Sequence, residues 1–317
     1  MRCVNRSLLR FEEAIKSEAT RKLYERHLES FLEFTKIKSP DGLLQLKDSF
    51  LQELLEDYLF HLKKRISPNS IPQRFAALEL FFAMNDKNPN FKRIRKMYPS
   101  TIRPTGRDYW ATSDIKKMLA NAKTSRMRAI IHLVASTGCR IGVIEKLRLS
   151  EIENLKAVKF YDGTNEEYYG FLTPEASKEL DDYLNKRRND GEILTGESPL
   201  FRKTYAIGSA KAIPISISSL KHLVIDLVKN STLSRTKDGK RHNIQLFHGF
   251  RKRFNNILKD NKEGNIALKE KLMGHKGVFS LDGTYHNPDL RTLFEEFKNH
   301  IVNLTVDDSE RNKIRIR

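Results

Sequence analysis

Cysteine is almost absent from this chain of 317 residues, which has only Cys3 and Cys139. Two thiols cannot build a disulfide framework or a four-cysteine zinc site, and a reducing compartment suits them. Long apolar runs are missing too. No stretch approaches the roughly 20 apolar residues that cross a bilayer, so no membrane partner is expected. The opening residues Met1 to Arg6 lack the apolar run of a signal peptide. The expectation is an intracellular, cytoplasmic and nucleoid-associated protein. There is no internal repeat, and no close run of Asp, Glu and His of the kind that holds Mg²⁺ or Zn²⁺. A metal-dependent nuclease is therefore disfavoured, and no metal or cofactor is expected.

What the chain has in excess is positive charge. Lys and Arg number 58 against 40 Asp and Glu, a net charge of +18. Such an excess on a mixed surface favours a polyanionic partner, nucleic acid first and an anionic membrane surface second. At 39% hydrophobic and 31% charged residues, the composition is globular, and the length suits one small domain and one of about 200 residues.

Apolar residues at helical spacing fill the first hundred positions. Leu23, His27, Leu28, Phe31, Leu32 and Phe34 form one face, and Leu51, Leu54, Leu55, Tyr58, Leu59 and Leu62 a second. Ser67 and Pro68 read as an N-cap and a first-turn proline, opening a helix with Ile71, Phe75, Leu78, Phe81 and Phe82. Residues 1–98 are thus expected to be a small helical domain. A basic stretch containing Lys92, Arg93, Arg95, Lys96, Arg103 and Arg107 follows Asn88-Pro89-Asn90, and Pro99, Pro104 and Gly106 interrupt it. It reads as a linker, assigned to 99–108. Two readings are open: a solvated connector, or a strap along DNA phosphates.

A second domain is expected over 109–305, mainly helical with a small sheet. Asp162-Gly163 between the β-prone runs from Val158 and from Tyr168 signals a hairpin. Helices are expected at about 174–188, 216–229, 248–260, 265–273 and 288–303. The last carries Leu290, Leu293, Phe294, Phe297, Ile301 and Leu304 on one face, for which two readings are open: packing against its own core, which is preferred, or docking onto a neighbouring subunit. Residues 306–317 read as a polar, flexible tail.

Four short segments could carry chemistry: Thr137-Gly138-Cys139-Arg140, His248-Gly249-Phe250-Arg251, Leu272-Met273-Gly274-His275 and Gly283-Thr284-Tyr285. Each also has a structural reading. Gly138 and Gly274 can end helices. His248 and Arg251 share a helix face by spacing alone, and Tyr285 can be a half-buried aromatic. Cys139 reads as a small packed residue.

Together and in this order, the four segments resemble the catalytic domain of tyrosine recombinases, the family of phage and archaeal-virus integrases and Xer-type resolvases. Its pattern is Arg after Thr-Gly-x, then His-x-x-Arg, then Gly-His, then Tyr about ten residues on. The segments from Leu272 to Tyr285 particularly resemble archaeal members. The resemblance implies an α+β two-domain architecture, a helical core-binding domain and a catalytic domain closing as a C-shaped clamp on double-stranded DNA. It also implies a homotetramer on DNA and a site of Arg140, His248, Arg251, His275 and Tyr285.

The chemistry of these residue types agrees. Arginine is a permanent, planar double donor suited to non-bridging phosphate oxygens. Two of them can clamp a phosphodiester without a metal. Imidazole moves protons near neutral pH, and a phenol amid positive charge becomes a usable nucleophile. In the family a lysine in a hairpin turn protonates the leaving hydroxyl. The matching turn here, Asp162 to Asn165, has none, so Lys159, three residues earlier, is assigned the role. A second departure is Val143, where many members carry a carboxylate; the nearest here is Glu145.

The expected activity is site-specific recombination through a 3′-phosphotyrosyl link. The alternatives are a type IB topoisomerase-like relaxing enzyme and an inactive DNA-binding or excision-control protein. A histidine phosphatase is more distant, since Phe247-His248-Gly249-Phe250-Arg251 lacks a leading Arg.

Overall fold

The computed structural model describes residues 6–102, 106–203, 212–238, 241–275 and 287–316. Tyr285 and the basic residue Arg103 therefore lie outside the described residues. The chain divides into two compact units, Met1–Pro104 and Thr105–Arg317.

The first unit is helical: α1 (Arg6–Glu13), α2 (Glu18–Thr35), α3 (Pro40–Leu44), α4 (Asp48–Lys63), α5 (Ile71–Ala83) and α6 (Phe91–Lys96). The apolar stripes meet in one core, with Phe31, Leu55, Leu59, Phe75, Leu78, Phe81 and Phe82 almost fully buried. Ser67 and Pro68 do open a helical segment, but its first turn is a 3-10 turn over Pro68–Ser70 that precedes α5.

Part of the basic stretch is not a linker. Phe91 and Ile94 are buried in the core, and the Asn90 side chain caps the new helix by accepting from the Arg93 amide at 2.9 Å. Arg93 and Arg95 pair with Glu56 and Glu79 of the same unit. Further on, Ile102 exchanges hydrogen bonds with the Asn69 side chain.

The second unit opens with α7 (Thr112–Ala120), α8 (Ser125–Thr137) and the single turn α9 (Ile141–Ile144). Strands β1 (Ala157–Phe160) and β2 (Tyr168–Phe171) then form the hairpin that Asp162-Gly163 foreshadows, antiparallel, with Ala157 opposite Phe171 and Phe160 opposite Tyr168. After it come α10 (Pro174–Asn189), α11 (Ile217–Asn230), α12 (Leu246–Asp260), α13 (Ile266–Leu272), α14 (Leu290–Lys298), α15 (Ile301–Leu304) and α16 (Asp308–Ile316). Two two-residue strands, Lys237–Asp238 and Arg241–His242, pair before α12.

This unit has two apolar clusters, and the hairpin lies between them. Side chains alternate across a strand. Val158, Phe160 and Tyr168 accordingly join the larger cluster with α8, while Ala157 and Phe171 join the smaller one with α13 and α14. Phe171 meets the Phe294 and Phe297 rings at 5.3 and 5.4 Å, so α14 does pack on its own unit. Helix α12 spans both clusters, with Phe247 and Phe250 in the first and Phe254 and Leu258 in the second.

Two sequence expectations change here. The helix expected over 288–303 breaks after Lys298, where buried His300 turns its ring to Glu296 at 3.0 Å and the Asn299 carbonyl accepts from Asn261. The tail beyond Thr305 is held and mostly helical. Glu175 accepts from the Val306 and Asp307 amides at 2.6 and 2.8 Å. Val306 is buried, and Lys116 pairs with Asp308 at the start of α16. A polar composition hid these backbone anchors.

Candidate active site

Helix α8 ends because Gly138 takes the left-handed conformation, φ 59°. A side chain there would also meet Phe254, since a Cβ would sit 2.7 Å from the Phe254 Cβ. Conformation and contact both call for glycine. The turn delivers Arg140 as the residue just before α9. Cys139 beside it is buried, and burial raises its thiol to about 11, so it stays a neutral packed group. Val143 is buried in the larger cluster.

Arg251 sits on α12 between the aromatic residues that enter the two clusters. Its guanidinium is nearly buried, 6% exposed. One end donates to the Gly138 carbonyl at 2.9 Å and the other to the Met273 carbonyl at 2.5 Å. A single side chain therefore joins the Arg140 loop to the Gly274-His275 loop. Neither Arg140 nor Arg251 pairs with a carboxylate among the described residues. The contrast is Arg187, also buried, which is neutralised by Glu192.

His248 lies in the first turn of α12 and is exposed. Partial burial first, then the charges of Lys252, Arg251 and Arg140, push its imidazole below the ordinary value. Those charges place His248 in the same positive field as both arginines. Gly249 next to it allows close approach of Trp110, whose indole donates to the Leu246 carbonyl at 2.8 Å.

The third segment ends α13 with a paired cap. The Gly274 amide donates to Lys271 O at 2.9 Å and the His275 amide to Glu270 O at 3.0 Å. Gly274 has φ 62° and packs on the Tyr168 ring. This cap brings the His275 side chain back over the last turn, where Nδ1 lies 2.5 Å from Glu270 Oε2. The other Glu270 oxygen holds Lys259 at 2.9 Å. Burial raises the Glu270 carboxyl, but hydrogen bonds and charges from Lys259 and His275 outweigh it and hold the group below the usual range. Sequence reasoning missed Glu270. The signal was its position three residues before the capping Met273, where a helix ending in Gly274 folds the following residue back onto it.

Lys159 is placed on β1 and is not drawn into this cluster by any hydrogen bond or ion pair. Its ammonium pairs with Asp162 at 2.7 Å and Glu167 at 3.6 Å across the hairpin turn. The Asp162 contact raises its proton affinity. The described residues thus bring Arg140, His248 and Arg251 together, tie His275 to them through Met273, and leave Lys159 in its own ion pairs.

Among the described residues no group of three or more His, Cys, Asp or Glu is placed to hold a metal ion, and no helix is long and apolar enough to cross a membrane.

The fold that carries these residues is similar to that of solved integrases. The Tn1549 transposon integrase in complex with a circular intermediate DNA superposes with a TM-score of 0.63 at 15% identity, covering 92% of this chain and 98% of that one. A lambda integrase dimer bound to a COC′ core site gives 0.59 at 16% identity, over 90% and 98%. No family model and no curated protein sequence matches the chain.

Proposed function

We propose that this protein is a site-specific DNA recombinase of the tyrosine type, which breaks and rejoins double-stranded DNA through a 3′-phosphotyrosyl link. The observation that carries the reading is the pair of arginines, Arg140 and Arg251, set in one loop cluster without a carboxylate counter-charge among the described residues. A buried cation without a partner is costly; a phosphodiester supplies the missing negative charge. The integrases that share the fold are DNA-bound in their structures.

In the proposed reaction the two guanidinium groups bind the non-bridging oxygens and stabilise the charge that gathers there. Tyr285 attacks phosphorus. Its proton passes to His248, whose depressed proton affinity leaves the ring neutral and able to accept. The bond to the 5′-oxygen breaks, and that oxygen takes a proton from Lys159 to leave as a hydroxyl. Asp162 and Glu167 keep Lys159 protonated, as an acid must be, but it has to leave them to act. His275 donates from Nε2 to a phosphate oxygen when its ring carries both protons, with Glu270 offsetting the charge. An incoming 5′-hydroxyl reverses the step, so bond energy is retained and no nucleotide is consumed. Exchange between two duplexes needs four such sites, hence a homotetramer on DNA in a cytoplasmic, nucleoid-associated setting.

The test uses a suicide duplex carrying the site selected by the protein from a randomised pool. Wild type should form a covalent adduct and Tyr285→Phe none; an adduct from the Phe variant would eliminate the assignment. A 5′-bridging phosphorothioate in the same duplex should rescue Lys159→Ala if Lys159 is the acid, and leave it slow if another group is.

A further inference from the structure

We propose that Glu270 is the positioning residue of His275: it holds the ring with the proton on Nδ1, so that Nε2 is the nitrogen presented to the scissile phosphate. The proposal rests on the recombinase reading for its consequence in catalysis, but its geometry stands apart from it.

Three features of the helix end converge. The left-handed Gly274 and the two capping bonds return the chain at His275 to the level of Glu270. The side chains then meet at Nδ1 and Oε2, 2.5 Å apart. Glu270 is itself 8% exposed, and its second oxygen is engaged by Lys259 from α12 at 2.9 Å. An ionised carboxylate only accepts hydrogen bonds. Nδ1 must therefore carry the hydrogen, and in the neutral ring that leaves the lone pair on Nε2. When the ring is doubly protonated, Nε2–H becomes the donor and Glu270 offsets the charge. Arg251 fixes the same loop from the other side through the Met273 carbonyl.

Lys259 makes the idea testable in a way that a purely structural role would not follow. An ammonium only donates. In Glu270→Gln, the amide oxygen must face Lys259, so the amide NH₂ falls on His275 Nδ1. That substitution is close to isosteric, yet it forces the opposite tautomer, with the hydrogen on Nε2. Removing the ammonium as well, in Lys259→Met/Glu270→Gln, frees the amide to turn its oxygen toward His275.

The experiment pairs ¹⁵N spectroscopy of the histidine-labelled full chain with single-turnover cleavage of the suicide duplex. The His275 signals are assigned by their loss in His275→Gln. Wild type is expected to show hydrogen on Nδ1 and Glu270→Gln on Nε2. Because an amide donor on Nδ1 bars the doubly protonated ring that Glu270 supports, the variant should cleave on the order of 100-fold more slowly, the scale seen when the partner orienting a functional imidazole is lost, with DNA affinity within about twofold. Lys259→Met alone should cleave like wild type, and the double variant should recover a large part of the loss. The proposal is overturned if Glu270→Gln keeps hydrogen on Nδ1, if its tautomer changes without slowing cleavage, or if the double variant is no faster than Glu270→Gln. A wild type with hydrogen on Nδ1 that forms no adduct sinks the recombinase reading and leaves the Glu270 assignment standing.

Discussion

The first unit closes around one apolar cluster and keeps its arginines at the surface, whereas the second has two clusters and buries a guanidinium in the seam between them. Arg93 and Arg95 sit on a helix edge opposite Glu56 and Glu79, pairs of the kind worth little individually. Arg251 is nearly buried, meets carbonyl oxygens, and has no carboxylate partner among the described residues. Both are cationic side chains near the end of an apolar stripe. The difference is that a seam supplies chain ends: the left-handed turns at Gly138 and Gly274 aim carbonyls inward, and a planar fork can hold two at once. In the second unit, stability and the proposed phosphate clamp rest on the same side chain.

Arg251→Lys should give the largest effect. An ammonium cannot span the Gly138 and Met273 carbonyls as a fork does, so cleavage should fall by roughly 10²–10³-fold, the scale for one lost transition-state donor. The second unit should also lose about 1–3 kcal/mol for a carbonyl left unpaired. Trp110, the chain's single tryptophan, is buried in the second unit, so its fluorescence in a urea titration reports that unit selectively. A variant with full cleavage and an unchanged transition would erase the distinction drawn between the units.

Gly138→Ala comes next. The positive φ and the 2.7 Å approach to Phe254 should together cost about 1–3 kcal/mol. The Trp110 transition should move to lower urea, while helical circular dichroism of the first unit is unaffected. Equal losses in both units would refute the local origin.

Acid should weaken both units, and a buried histidine in each shows the effect. Burial pushes His132 down to about 4, with Glu179 opposing and Arg128 assisting. His27 is likewise pushed to about 4, by burial and then by Arg74 and Arg26. An unfolded imidazole protonates near 6.5. Between those values the unfolded chain binds more protons than the native one, so stability falls as pH drops from about 6.5 toward 4. His132→Gln should flatten the Trp110-monitored slope in that window, and His27→Gln should not.

The smallest effect is expected at the surface. Arg95→Ala should leave the unfolding transition of the first unit nearly unchanged, as read by circular dichroism. A larger loss would mean that the exposed pairs matter more to this unit than its core geometry implies.

Much of this was legible in the residues themselves. Periodicity locates α2, α4 and α5, and Asp162-Gly163 marks the hairpin, because those signals are local. Gly138 and Gly274 are readable both as helix ends and as motif residues; they do end helices, and the left-handed turn is what places Arg140 and His275. Glu270 escaped because its partner is fixed by a fold-back that depends on backbone hydrogen bonds rather than on a spacing rule. Composition hides α6 because four of its six residues are basic, and α16 reads as a loose tail because its anchors are backbone amides received by Glu175. The pairing of Lys159 with Asp162 and Glu167 depends on how the turn closes, which composition does not encode.

The most direct test is peptide mapping by mass spectrometry of the trapped protein–DNA adduct. A nucleotide-bearing peptide modified at Tyr285, lost in Tyr285→Phe and strongly reduced in Arg251→Lys, is the expected result. A nucleotide carried by any other residue, or an adduct indifferent to Arg251, would contradict the picture of one phenol acting on a phosphate held in the seam of the second unit.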